Sequence, residues 1–183
     1  MVHITKKDLD KYNYYKDSGI NTTEEITCDE NLGYIKFKKS VITTKSIILG
    51  LDCGIEAGCG IKAGCGIEAG CGIEAGWGIK AGDGIKAGWG IKAGDGIKAG
   101  LSIICKGILK FSYQLFTGTC IWRKTTEEDL IVECSKLETK GKIVLGNLIE
   151  TGNIPEKIDK IKIIDEKKYK LIEDTLNVEE VKE

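Results

Sequence analysis

From Gly54 to Gly100 the chain reads GIEAGC GIKAGC GIEAGC GIEAGW GIKAGD GIKAGW GIKAGD GIKAG, a six-residue period held through eight units. Ile stands at 55, 61, 67, 73, 79, 85, 91 and 97, Ala follows two residues later, and a Glu or Lys lies between them. In an extended strand alternate side chains face opposite ways, so Ile and Ala point inward and the charge points to water. The remaining Gly-x-Gly predicts a corner, its glycines turning the chain through positive φ. Helix is excluded, because two Gly per hexad cost about 2 kcal/mol relative to Ala. Collagen is excluded too, since it needs Gly at every third position.

One hexad buries one Ile and one Ala, about 2 to 4 kcal/mol, against roughly 1 to 2 kcal/mol of backbone entropy for each of its six residues. A single hexad therefore cannot hold its shape, and stability must come from stacked neighbours. The fold class is mainly β, a hexapeptide-repeat β-solenoid (β-helix) with a short N-terminal helical cap and a small β-rich C-terminal region. The expected divisions are a partly helical cap over 1–30, the solenoid over 31–111, a β-rich region over 112–176 and a flexible tail over 177–183. Val41, Ile47 and Cys53 extend the spacing upstream, and Ile103 and Leu109 extend it downstream. TKKDLDKYNYYKD, residues 5–17, predicts one amphipathic helix presenting Leu9, Tyr12 and Tyr15. GILKFSYQLF, CIW, DLIVEC and GKIVLGNLI are strand candidates, and IDKIKII with YKLIE reads as a hairpin.

The number of hexads per coil stays open. Two per coil stack Cys53, Cys65, Trp77, Trp89 and Leu101 on one edge and Cys59, Cys71, Asp83 and Asp95 on the other. Three per coil give the mixed columns Cys53, Cys71, Trp89, then Cys59, Trp77, Asp95, then Cys65, Asp83, Leu101. The left-handed β-helix has three, but this chain departs from its usual placement of a small residue two before the aliphatic.

Little in the sequence carries chemistry. His3 is the one histidine, and no Walker loop, dinucleotide fingerprint, nucleophile elbow or metalloprotease motif occurs. The expectation is no enzyme, no cofactor and no metal. Cys53, Cys59, Cys65 and Cys71 read as small corner fillers, with metal binding or disulfides as alternatives. Cys28, Cys105, Cys120 and Cys134 read as core. MVHITKKDLDKYNYY lacks an apolar h-region and no stretch is long enough to span a bilayer, so the expectation is a cytoplasmic protein with reduced thiols.

Trp77 and Trp89 at Gly-flanked corners are difficult to bury in a thin coil, and exposed Trp marks contact surfaces. With Lys80, Lys86, Lys92 and Lys98 on outward positions and Asp83 and Asp95 at corners, they make the candidate partner-binding surface. The bland alternative is a solvated charged face. With 27 basic and 28 acidic residues in 183, the formal charge is −1, which speaks against a non-specific nucleic-acid binder. Within the repeat the charges cancel as well, five Lys against three Glu and two Asp.

GIKAGWGIKAGDGIKAG followed by FTGTCIWRKTTEEDLIVECSKLE resembles a group of hexapeptide-repeat proteins carried by temperate phages and related mobile elements. The resemblance covers about residues 45–150. It implies a small cytoplasmic protein of the host cell that binds and inhibits a host protein complex such as an antiviral, CRISPR-type effector, and it transfers no functional residue. The alternatives are a structural, self-assembling solenoid, forming a homo-oligomer through its ends, and a nucleic-acid-binding module.

Overall fold

The computed structural model describes residues 1–152 and, beyond them, the backbone of three strands, Ile161–Ile164, Lys167–Leu171 and Val178–Glu180. The chain winds as a β-solenoid with three sheets of parallel strands, eight, six and seven in number. Three hexads make one coil: Ile55 pairs with Ile73 and Ile73 with Ile91, eighteen residues apart. Face 1 stacks Ile47–Leu49, Ile67–Ala69, Ile85–Ala87 and Ile103–Cys105. Face 2 stacks Gly33–Phe37, Cys53–Ala57, Ile73–Ala75, Ile91–Ala93 and Ile108–Phe111. Face 3 stacks Val41–Thr43, Ile61–Ala63, Ile79–Ala81, Ile97–Ala99 and Gln114–Phe116.

Each hexad after the first contributes a three-residue strand, and the first lies in the five-residue Cys53–Ala57; in all of them Ile and Ala are buried and the charged residue lies between, facing out, as the period-two pattern requires. The core is a set of aliphatic columns running the length of the solenoid, such as Ile61, Ile79, Ile97 and Leu115. Parallel pairing extends from Val2–His3 to Asn147–Glu150, well outside residues 31–111. The early coils are looser, with Ile35 pairing to Ile55 and Ile26 to Ile47.

Two local expectations are overturned. Residues 5–17 form no α-helix but a 3-10 turn at Lys6–Asp8, an antiparallel bridge between Leu9 and Tyr15 and a parallel bridge between Tyr14 and Lys36. The Asp10 carboxylate accepts hydrogen bonds from the backbone N–H of Tyr12 and Tyr14, and Asn13 adopts φ 63°. These side-chain bonds give the backbone a turn that outcompetes helix. Leu9 and Tyr15 still pack on the core, Tyr15 with its ring 5.2 Å from that of Phe37, so the segment covers the first coils without being helical.

Nor do the corner glycines turn through positive φ. Among the described residues the positive-φ glycines are Gly33, Gly118, Gly146 and Gly152, all outside the repeat. Close approach explains them instead. A Cβ on Gly82, Gly94 or Gly100 would overlap the carbonyl oxygen of Gly64, Gly76 or Gly82 in the coil before.

After Phe116 the chain leaves the coil for residues 117–130 and returns with Ile131–Cys134 on face 1. The CIW segment, 120–122, lies in this excursion and is not a strand. The expected hairpin is present, Ile161–Ile164 pairing antiparallel with Lys167–Leu171. Of the expected flexible tail, Val178–Glu180 pairs with that hairpin, and 177 and 181–183 lie outside the described residues. No helix among the described residues is long and apolar enough to cross a membrane.

Candidate binding face

Three hexads per coil sort the outward charges by face. Face 2 carries Lys36, Glu56, Glu74, Lys92, Lys110 and Glu138 in one column, with ion pairs Lys36–Glu56 at 3.3 Å, Lys92–Glu74 at 3.4 Å and Lys110–Glu138 at 3.5 Å. On face 1 Lys86 meets Glu68 at 3.2 Å. Face 3 differs: Lys62, Lys80 and Lys98 stack directly on one another. Among the described residues none of the three has a carboxylate within ion-pair distance. At a strand spacing of about 4.8 Å, like charges on adjacent rungs repel.

Beside the lysines runs a trough of about 530 Å³. Its floor is the bare backbone of Gly60, Gly78 and Gly96, each the residue before an inward Ile. One wall is the lysine column. The other wall is made by Asp95 and Tyr113, which belong to the edge between faces 2 and 3 where Cys59, Trp77, Asp95 and Tyr113 follow one another, with N–H groups donating to the carbonyl one coil back: Trp77 to Cys59 at 3.2 Å, Asp95 to Trp77 and Tyr113 to Asp95 at 3.1 Å. Trp77 is 61% exposed and Tyr113 67%. Ser40 and Ile42 close one end, and Gln114 and Phe116 the other.

The candidate residues named from sequence are thus divided. Asp95, Lys80 and Lys98 come together along the face 3 trough, and Trp77 stands on the edge beside it without lining it. Trp89, 37% exposed, sits on the edge between faces 1 and 2, where its N–H donates to the Cys71 carbonyl. Trp77 and Trp89 therefore share no edge, because twelve residues are two sides of a triangle. Lys86 and Lys92 are ion-paired on the other faces. Asp83 is on the edge between faces 3 and 1, between Cys65 and Leu101. Sequence reasoning missed Lys62, Ser40, Tyr113 and Phe116. The spacing 62, 80, 98 was the available signal, readable once the coil is known to hold eighteen residues.

The cysteines are all free thiols. Cys59, Cys65 and Cys71 are half-buried at corners, whereas Cys53 is fully buried with its Sγ 3.3 Å from that of Cys28. Burial pushes Cys28 and Cys105 up to about 12 and Cys134 to about 11, so these stay neutral at ordinary pH. Cys120, expected in the core, is half-buried in the 117–130 excursion. His3 sits on the first strand of face 1, its Nδ1 3.0 Å from Thr27 Oγ1. No group of three or more His, Cys, Asp or Glu side chains among the described residues is placed to hold a metal ion.

The chain matches no protein-family model, and neither the curated proteins nor the solved structures contain a significant match to it.

Proposed function

We propose that this chain is a non-enzymatic binding protein that docks face 3 against an acidic surface of a partner protein complex. The observation that carries this is the column Lys62, Lys80, Lys98, which has no ion-paired carboxylate among the described residues and stands beside the exposed Trp77 and Tyr113. Every other lysine of the eight-hexad repeat stands next to a Glu on an adjoining coil. A stack of like charges costs stability, and burial of aromatic anchors flanked by complementary charge is how protein interfaces gain affinity and specificity. The resemblance to phage and mobile-element proteins supports a host complex as the partner, an antiviral, CRISPR-type effector in particular, met in the host cytoplasm and inhibited by occupancy.

The test is affinity capture of the tagged protein from bacterial lysate with identification of stoichiometric partners. Wild type and Trp89→Ser should capture the same partner, while Trp77→Ser, with an unchanged thermal midpoint, and the triple Lys62→Gln, Lys80→Gln, Lys98→Gln variant, with a midpoint no lower than that of wild type, should lose it. Capture that survives the triple variant would sink the assignment.

A second reading, a nucleic-acid-binding module, draws on the same lysines lying beside aromatic rings, a combination that single strands exploit. Salt-sensitive retention of wild type, but not of the triple variant, on immobilised single-stranded DNA or RNA would favour it.

A further inference from the structure

The solenoid shows on face 2 what its glycine troughs accept. There the residues before the inward aliphatics are Tyr34, Gly54, Gly72, Gly90 and Ile108. The Tyr34 ring lies along this row, so that a Cβ on Gly54 would come within 3.0 Å of two ring carbons and one on Gly72 would run into the phenol oxygen. Burial pushes the Tyr34 phenol up to about 12. A glycine row therefore makes a flat, Cβ-free bed on which an aromatic ring packs against peptide planes.

Face 3 has the same bed, on which no aromatic ring from the same row lies among the described residues. Its row is Ser40, Gly60, Gly78, Gly96 and Gln114, with Ser40 at the place that Tyr34 holds on face 2. Here the bed is bordered on one side by three lysines without ion-pair partners among the described residues and on the other by Asp95, whereas the face 2 bed is bordered by paired Lys and Glu.

We infer that the face 3 trough is a binding site for aromatic side chains carried on an acidic, extended segment of the partner protein. Rings lie on Gly60, Gly78 and Gly96, and flanking carboxylates meet Lys62, Lys80 and Lys98. From Gly60 to Gly96 is two rung spacings, about 10 Å, which an extended segment covers in about three residues. Because the precedent within the molecule is a tyrosine ring, a polypeptide is favoured over a nucleic-acid strand. The inference rests on the assignment of face 3 as the docking surface and adds the chemistry of what docks.

Ser40→Tyr makes the test, since it places on face 3 the ring that Tyr34 places on face 2 and leaves every lysine intact. Binding is measured by fluorescence anisotropy with a labelled pentapeptide alternating Asp and Tyr, an Asp and Ala counterpart, and a short oligothymidylate. Wild type should bind the Tyr peptide at least about tenfold tighter than the Ala peptide, and Ser40→Tyr should abolish that preference while keeping the weak binding of the Ala peptide. Independently of any variant, the Tyr peptide should shift the amide resonances of Gly60, Gly78 and Gly96 by ring currents and leave Gly66 and Gly84 of face 1 unmoved. Equal binding of the two peptides by wild type, undiminished Tyr-peptide binding by Ser40→Tyr, or tighter binding of oligothymidylate than of the Tyr peptide would overturn the inference. If Ser40→Tyr keeps the cellular partner that the triple lysine variant loses, the ring site fails and the docking face stands.

Discussion

Glycine does two different jobs in the hexad, and neither needs positive φ. The one after Ala abuts the neighbouring coil: a Cβ on Gly94 would overlap the Gly76 carbonyl. The one before Ile floors a trough and has more room, since a Cβ on Gly66 would come no nearer than 3.5 Å, to the Gly84 carbonyl. The same substitution should therefore act differently at the two places. Gly94→Ala forces adjacent coils apart and should cost about 1 to 3 kcal/mol, the range for overpacking. Gly66→Ala fits without strain, reduces the freedom of the unfolded chain and should be neutral or stabilising by up to about 1 kcal/mol. Urea unfolding of the two variants decides; equal losses would show that glycine is required for conformation and not for approach.

At the scale of elements, the C-terminal half of the irregular excursion 117–130 is organised around the buried carboxylate of Asp129, while residues 117–120 hydrogen-bond to neighbouring backbone. Asp129 takes a bidentate pair from Arg123 at 2.7 and 2.8 Å, and hydrogen bonds from the Thr126 N–H at 2.8 Å and its hydroxyl at 3.1 Å. The guanidinium first, and then the Thr126 N–H, hold the carboxyl at about 2. A depressed carboxyl stabilises the fold fully above its unfolded value and loses that contribution as pH falls through the folded one. The excursion should therefore loosen between about pH 4 and about pH 2. Trp122 reports this, because its ring lies against Gly100. In a Trp77→Phe, Trp89→Phe background, its emission should step across that window, and Asp129→Asn should remove the step by loosening the excursion at neutral pH. A step that persists in Asp129→Asn would assign the loosening to another group.

At the scale of the whole molecule, the solenoid turns a linear sequence into three faces of unlike character. Inward Ile and Ala and outward charge were legible because strand periodicity needs only neighbouring residues. The absence of a helix over 5–17 was not, because the apolar spacing of Leu9, Tyr12 and Tyr15 satisfies a helix equally well and the Asp10 turn decides between them. The coil count was also hidden: corner residues alternate every twelve positions, Trp77, Asp83, Trp89, Asp95, while the backbone repeats every eighteen. That mismatch left a two-hexad coil, with both Trp residues on one edge, as open as a three-hexad one, and a count of charges that cancels along the repeat says nothing of how they sort by face. In the fold Glu68 and Glu74 neutralise Lys86 and Lys92, and Lys62, Lys80 and Lys98 are left together.

That segregation is tested most directly by the unfolding midpoint of Lys80→Glu at low salt. With Lys62 and Lys98 as its neighbours, a Glu at 80 replaces two repulsions by two attractions, each worth about 0.2 to 1 kcal/mol. The expected result is a raised midpoint whose gain disappears at high salt. A lowered or unchanged midpoint at low salt would contradict the unpaired lysine column and, with it, the assignment of face 3 as the binding surface.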